Sequence, residues 1–157
     1  MSAKPLETAT LDGLYERDFA LWCDQTARLL CAGQIARVDI EHLVEEVRDM
    51  GISQWHEMDR RLQVLLAHLL KWDRQPEKRS RSWLRTMRAQ RVDLRHLFRR
   101  SPSLRAALAQ AVVEVYPDAV GDARFETRLP ASAFPSECPY TLEQIMDFDF
   151  PPVPESD

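Results

Sequence analysis

The stretch Ser53–Trp72, SQWHEMDRRLQVLLAHLLKW, decides the fold. Trp55, Met58, Leu62, Leu65, Leu66, Leu69, Leu70 and Trp72 recur at steps of three and four, which puts them on one side of an α-helix. The apolar arc is wide, so this helix is expected centrally in a core, with Ser53 as its cap. Pro76 stops it, because proline lacks a backbone donor and disfavours helical geometry at Gln75. Upstream, Leu11 to Ala32 reads as a first helix, with Tyr15, Phe19, Trp22, Thr26, Leu29 and Leu30 on one face and Gly33 as its stop. Asp39 suits the N-cap of a short second helix whose Ile40, Leu43, Val44, Val47 and Met50 make a stripe, ended by Gly51.

Downstream of Pro76 a fourth helix is expected from Ser80 or Ser82 to about Arg100. Trp83, Met87, Leu94, Leu97 and Phe98 form its apolar side. Ser101-Pro102 opens a fifth helix, with proline at the first helical position, running to about Tyr116. Pro117 to Thr127 is expected to add a turn or two, interrupted around Gly121. Leu129 to Tyr140 holds three prolines and reads as an extended strap, after which Thr141 caps a short helix, Leu142 to Met146. Few segments alternate like strands. The expectation is an all-α, single-domain bundle of about five main helices with an extended proline-rich C-terminal strap. Residues 1–10 read as a disordered tail, 11–150 as one helical domain and 151–157 as a flexible tail.

Composition agrees with that class. The chain has 157 residues, 45% of them hydrophobic, enough for one core of ordinary size and too many for a wholly disordered chain. No apolar run approaches the roughly 20 residues of a membrane span, and Met1 to Thr10 carries no apolar stretch of signal-peptide type. Cys23, Cys31 and Cys138 make neither a disulfide framework nor a metal-binding pair, which points to a reducing cytoplasm.

Charge is segregated. Lys71 to Arg105 holds 12 Lys and Arg against Asp73, Glu77 and Asp93, although the whole chain carries a net −4. Asp39 to Asp59 has seven acids and one arginine. A basic block of this kind meets phosphate, an acidic partner or the acidic part of its own chain.

Several segments carry a resemblance. Tyr15, Asp18 and Trp22 in YERDFALW, then DIEHLVEEVRDMG (Asp39–Gly51), LLAHLLKWDRQPEKRSRSW (Leu65–Trp83), Gln90-Arg91, SPSL (Ser101–Leu104) and FPSECPYTLEQIMDFDF (Phe134–Phe150) follow one another in order. In these the chain resembles the bacterial family catalogued as domain of unknown function number twenty-nine. The resemblance covers nearly the whole chain. It implies a small, mostly helical protein and brings no activity, ligand or catalytic motif with it. The region around Gly121 departs from the family, whose members look more continuously helical there.

Three constellations could carry chemistry. Glu46 with His68, joined by Glu45 and His42, would make a carboxylate–imidazole pair if the second and third helices ran antiparallel, holding a metal or poising a general base. The blander reading is a histidine packed at the core edge and acids facing water, and no Glu-x-x-His or His-x-x-x-His spacing supports a metal. Lys71 to Trp83 interleaves Arg79 and Arg81 with Trp72 and Trp83, which suits phosphates and a stacked base. It equally suits a proline corner anchored by two tryptophans, with Arg79 capping carbonyls. Finally, Arg81, Arg85, Arg88, Arg91, Arg95 and Arg99 share a broad arc of the fourth helix. All are Arg rather than Lys, which favours bidentate contacts to carboxylate or phosphate. Asp93 is the helix's one acid.

Cys138 before Pro139 reads as an anchor rather than a nucleophile, and Asp147, Asp149 and Glu155 around Phe148 and Phe150 as a terminal segment folding back on the core. There is no glycine-rich phosphate loop and no hydrolase elbow. The sequence therefore assigns no catalytic residue, cofactor or metal. It points to an interaction protein that uses Lys71, Arg79, Arg81, Trp83, Arg85, Arg88, Arg91 and Arg95 toward an acidic protein partner or a second copy. Nucleic-acid binding through the same arginines and Trp83 is the alternative, and a metal or hydrolytic role for Glu46 and His68 a further one. No membrane association is expected.

Overall fold

A computed structural model describes residue 11 and residues 13–153. Among them there are seven α-helices and no strand: α1 (Leu14–Arg17), α2 (Phe19–Cys31), α3 (Ile40–Arg74), α4 (Arg81–Arg100), α5 (Pro102–Ala106), α6 (Leu108–Thr127) and α7 (Leu142–Met146). Four of these are long. The expected tail at 1–10, and the part of the C-terminal tail beyond 153, lie outside the described residues. Pro151 is buried. The chain divides into two compact units, residues 1–52 and 53–157.

In the first unit the helix expected over 11–32 is split at Asp18. That residue leaves helical geometry (φ −154°, ψ 84°) and its carboxylate accepts the Leu21 N–H at 3.0 Å. An aspartate that can cap will compete with the helix it sits in. Gly33 ends α2 as expected, at φ 68°, a left-handed conformation that glycine adopts without strain. Asp39 caps α3, accepting the His42 N–H at 3.3 Å. Leu14, Trp22, Thr26 and Val38 are buried.

Gly51 and Ser53 do not separate two helices. Both lie inside α3, 35 residues long. Val47, Gly51, Trp55 and Met58 keep helical steps, although Val47 and Trp55 are exposed and only Met58 is buried. A single helical glycine costs roughly 1 kcal/mol, too little to end a helix that continues on both sides.

The core of the second unit forms around the α3 residues that the sequence singled out. Leu62, Leu65, Leu66 and Leu70 are wholly excluded from solvent, each worth about 1.5–3 kcal/mol of transfer free energy. Met87, Leu94, Leu97 and Phe98 of α4 and Leu104 of α5 close on the same cluster. Between α3 and α4, Pro76–Lys78 makes a single 3-10 turn.

α6 runs unbroken through Pro117 and Gly121, so the interruption expected there is absent. Its buried side, Leu108, Val112, Val115, Ala119 and Ala123, keeps helical spacing on both sides of the proline. Proline gives up one bond to the carbonyl four residues back, that of Val113, whose side chain is 67% exposed and whose neighbourhood faces water. Residues 128–141 hold one 3-10 turn, Ala131–Ala133, and no α-helix. Phe134 is buried there, and the Tyr116 hydroxyl donates to the Pro135 carbonyl at 2.9 Å. Thr141 opens α7 with a full capping box, exchanging hydrogen bonds with Gln144.

Candidate functional site

α4 begins where Ser80 accepts the Trp83 N–H at 3.3 Å. Along its length the cations divide by what they touch. Arg81, Arg85, Arg88, Arg95 and Arg99 are exposed. Among the described residues no carboxylate lies within ion-pairing distance of any of them; the ion pairs present are Asp24–Arg28, Asp39–His42, Glu57–Arg61, Asp93–Arg61 and Glu126–Lys71. Asp93, the helix's own acid, is held by Arg61 of α3 at 2.8 Å. Two cations of the row have an aromatic partner instead: the guanidiniums of Arg88 and Arg95 lie over the Phe148 ring, 5.4 and 4.2 Å from its centroid.

Arg91 departs from the outward row. It is 2% exposed, and its Nε and Nη2 donate to the carbonyls of Ile145 and Gln144 at 2.7 and 3.3 Å. Those carbonyls end α7 and have no helical donor of their own. Burial lowers the Arg91 pKa, and Asp147 nearby opposes that shift.

The Lys71–Trp83 junction is an anchored corner. Lys71 is buried, its ammonium paired with Glu126 and seated 4.7 Å from the centre of the Trp83 ring. Arg79 caps α3, donating from Nε to the Trp72 carbonyl at 2.9 Å with its guanidinium over the Trp72 ring. Trp83 is half-buried.

An open groove of about 750 Å³ lies at the C-terminal end of the arginine row. Phe98, Leu108 and Met146 line it together with Arg95, Arg99 and Arg105. Glu143 and Asp147 are also among its lining.

The family described as Domain of unknown function DUF29 matches residues 14–151. The chain belongs to this family. No curated protein matches it, and no solved structure does. Among the described residues of this DUF29 chain no cluster of three or more His, Cys, Asp or Glu is placed to hold a metal, and no helix is long and apolar enough to cross a membrane.

Glu46 and His68 are not brought together. The antiparallel packing that would join them does not exist, since both belong to α3 and one continuous helix cannot fold back on itself. His68 instead bonds through Nδ1 to the Val64 carbonyl at 2.8 Å, and burial lowers its pKa. Glu46 accepts the Tyr15 hydroxyl at 2.5 Å. Around that contact is a cluster the sequence did not announce. Tyr15 stacks on His42 with ring centres 4.0 Å apart, and His42 Nδ1 meets Asp39 Oδ2 at 2.6 Å. Tyr15 is 31 positions from Glu46, and no local pattern encodes such a pair. Cys138 is half-buried and burial pushes its thiol pKa up, which fits an anchor and not a thiolate nucleophile.

Proposed function

We propose that this DUF29 protein is a non-enzymatic interaction module whose α4 presents Arg81, Arg85, Arg88 and Arg95, with Arg79 beside them, to a carboxylate-bearing protein surface. The observation that carries the reading is that, among the described residues, no carboxylate pairs with these exposed guanidiniums, the helix's one acid, Asp93, being held by Arg61. A row of forked cations held on a rigid helix is suited to bidentate carboxylate recognition. Of the residues first singled out, Lys71, Trp83 and Arg91 serve the interior and drop out of the contact surface. The engagement of Trp83 weighs against the nucleic-acid alternative, because the Lys71 ammonium sits over one face of its ring and the side chain packs against the core, which leaves less of it to stack on a base.

The test is capture from nuclease-treated lysate by tagged wild type and by the charge reversal R81E/R85E/R88E/R95E, with circular dichroism confirming the variant's helix content. Wild type is expected to retain acidic proteins at low salt and release them as salt rises, because exposed charges are screened over about 8–10 Å. The variant is expected to retain none of them. Identical capture by both proteins overturns the reading. Tight, salt-dependent binding of labelled oligonucleotides by wild type alone replaces it with the nucleic-acid one.

A further inference from the structure

Arg88, Arg91 and Arg95 are three and four positions apart, so they share one stripe of α4. All three meet a single segment of chain. Arg91, the middle one, donates to the carbonyls of Gln144 and Ile145, and its neighbours on either side lie over the ring of Phe148. The segment is fixed at both ends. Upstream, Arg91 holds the end of α7. Downstream, Phe150 packs on the core and meets Tyr140 edge-on, with ring centres 5.9 Å apart. Between these anchors residues 147–150 make a tight turn. The Phe150 N–H donates to the Asp147 carbonyl at 3.3 Å, and the Asp149 N–H to Asp147 Oδ1 at 2.9 Å. Phe148 follows the first residue of that turn, so its ring is carried on a braced frame.

The contact that the turn makes with the row is aromatic, not ionic. Asp147 and Asp149 are exposed and, among the described residues, in no ion pair. A segment that served as the row's own ligand would set those carboxylates on the guanidiniums. It sets a ring there instead, and Arg88 and Arg95 stay exposed beside it. An arginine meets a ring through the π-system and a carboxylate through its N–H fork, so both contacts can be held at once.

We infer that Phe148 is the positioning residue of the arginine row, its ring holding Arg88 and Arg95 as a preformed pair of forks for carboxylates. A free arginine samples many rotamers, and each one that a partner must immobilise weakens binding. A ring shared by two guanidiniums reduces that freedom before the partner arrives, while both side chains remain open to water. This inference rests on the reading of the row as a carboxylate-binding surface and deepens it by assigning the residue that prepares the row.

The experiment uses the full chain with fluorescein-labelled hexaglutamate as the probe. Binding is read by fluorescence anisotropy at low salt, and the order of the Arg88 and Arg95 Nε–H groups by NMR relaxation. F148L keeps apolar bulk without a π-system, and F148Y keeps the ring. Phe148 lies outside the core cluster, and circular dichroism checks that both variants are folded. Wild type and F148Y are expected to bind alike, with both Nε–H groups ordered. F148L is expected to bind about tenfold more weakly, with both groups mobile. The inference is overturned by an F148L that binds as wild type does or keeps wild-type order at both groups, or by an F148Y that behaves as F148L. Tighter binding by F148L overturns it too, and makes the turn a competitor for the row. So long as wild type binds the peptide better than R81E/R85E/R88E/R95E, those outcomes leave the interaction module standing. Equal binding by wild type and that reversal removes the module and this inference together.

Discussion

Arg91 Nε donates to the Ile145 carbonyl at 2.7 Å, so one guanidinium of the arginine helix holds the fold together while its neighbours meet water. The two roles respond differently to mutation. Arg91→Ala strips the donors from two carbonyls at the end of α7 and opens a void between α4 and α7. Unsatisfied buried acceptors cost about 1–3 kcal/mol, more with a cavity. Arg91→Ala is therefore expected to lose roughly 2–4 kcal/mol in urea denaturation, against less than about 0.5 kcal/mol for the exposed Arg85→Ala. Equal losses would mean that Arg91 is not the internal clamp.

Arg91 also shows how much was legible. It lies four residues after Met87 and three before Leu94, so its spacing already puts it on the buried side of α4. Residue type hid this, because arginine in a basic run reads as surface. Local pattern recovered the α3 core, the Pro76 corner, a helix start at Ser80 or Ser82 that the structure places at Ser80, and Thr141 as a cap, each encoded within four residues. It failed at Gly51, Pro117 and Gly121, single breakers that a long helix tolerates; past Pro117 and Gly121 a buried stripe continues. The pairs Tyr15–Glu46, Arg61–Asp93 and Tyr140–Asp73 join distant positions, and no local pattern records them. For the candidate site, the basic row and its choice of Arg were readable. That its exposed arginines have no ion pair among the described residues, and that Asp93 pairs with Arg61, only the tertiary structure reveals.

The Tyr140 hydroxyl donates to Asp73 Oδ2 at 2.5 Å, and burial together with that bond drives its pKa well above the usual tyrosine value. Burial takes Tyr116 up to about 12, and the bond to Glu46 takes Tyr15 up to about 12. In each case the folded state holds a proton that the unfolded state loses near pH 10, so stability is complete below that pH and declines as pH rises through it. The urea midpoint is expected to fall between about pH 9.5 and 11. Tyr140→Phe should be less stable at pH 8 yet decline less steeply. A variant with the wild-type slope would show that Tyr140 does not contribute to it.

His42 gives the first unit a dependence near neutrality. Its bond to Asp39 raises its pKa above the ordinary 6.5 against an opposing burial effect, and the charges of Asp39, Glu45 and Glu16 add to the rise. Burial pushes Asp39 up, but the bonds from His42 leave it below its ordinary value. The histidine contribution is thus present below about pH 6.5 and lost above its raised pKa, and the aspartate contribution is lost as pH falls through its lowered one. Between about pH 4 and 6.5 the pair is at full strength. Ring-proton NMR is expected to titrate His42 above 6.5, and Asp39→Asn to bring it back to or below that value. A titration unmoved by the substitution would dissociate the two residues.

Gly121 lies inside α6, and a Cβ added there meets no atom within 4 Å. Its φ is not among the positive values, so alanine takes the same backbone conformation without strain. The substitution then acts through the unfolded chain, whose freedom it reduces, and through the higher helix propensity of alanine. Gly121→Ala is expected to stabilise the protein by about 0.5–1 kcal/mol, a rise of roughly 1–4 °C in Tm. The same substitution at Gly33, where φ is 68° and a side chain is strained even with open space around it, should lower Tm. Opposite signs at two glycines that are both free of steric contact would separate backbone conformation from packing as the cause. A fall in Tm at Gly121 would mean that α6 is not helical through that position.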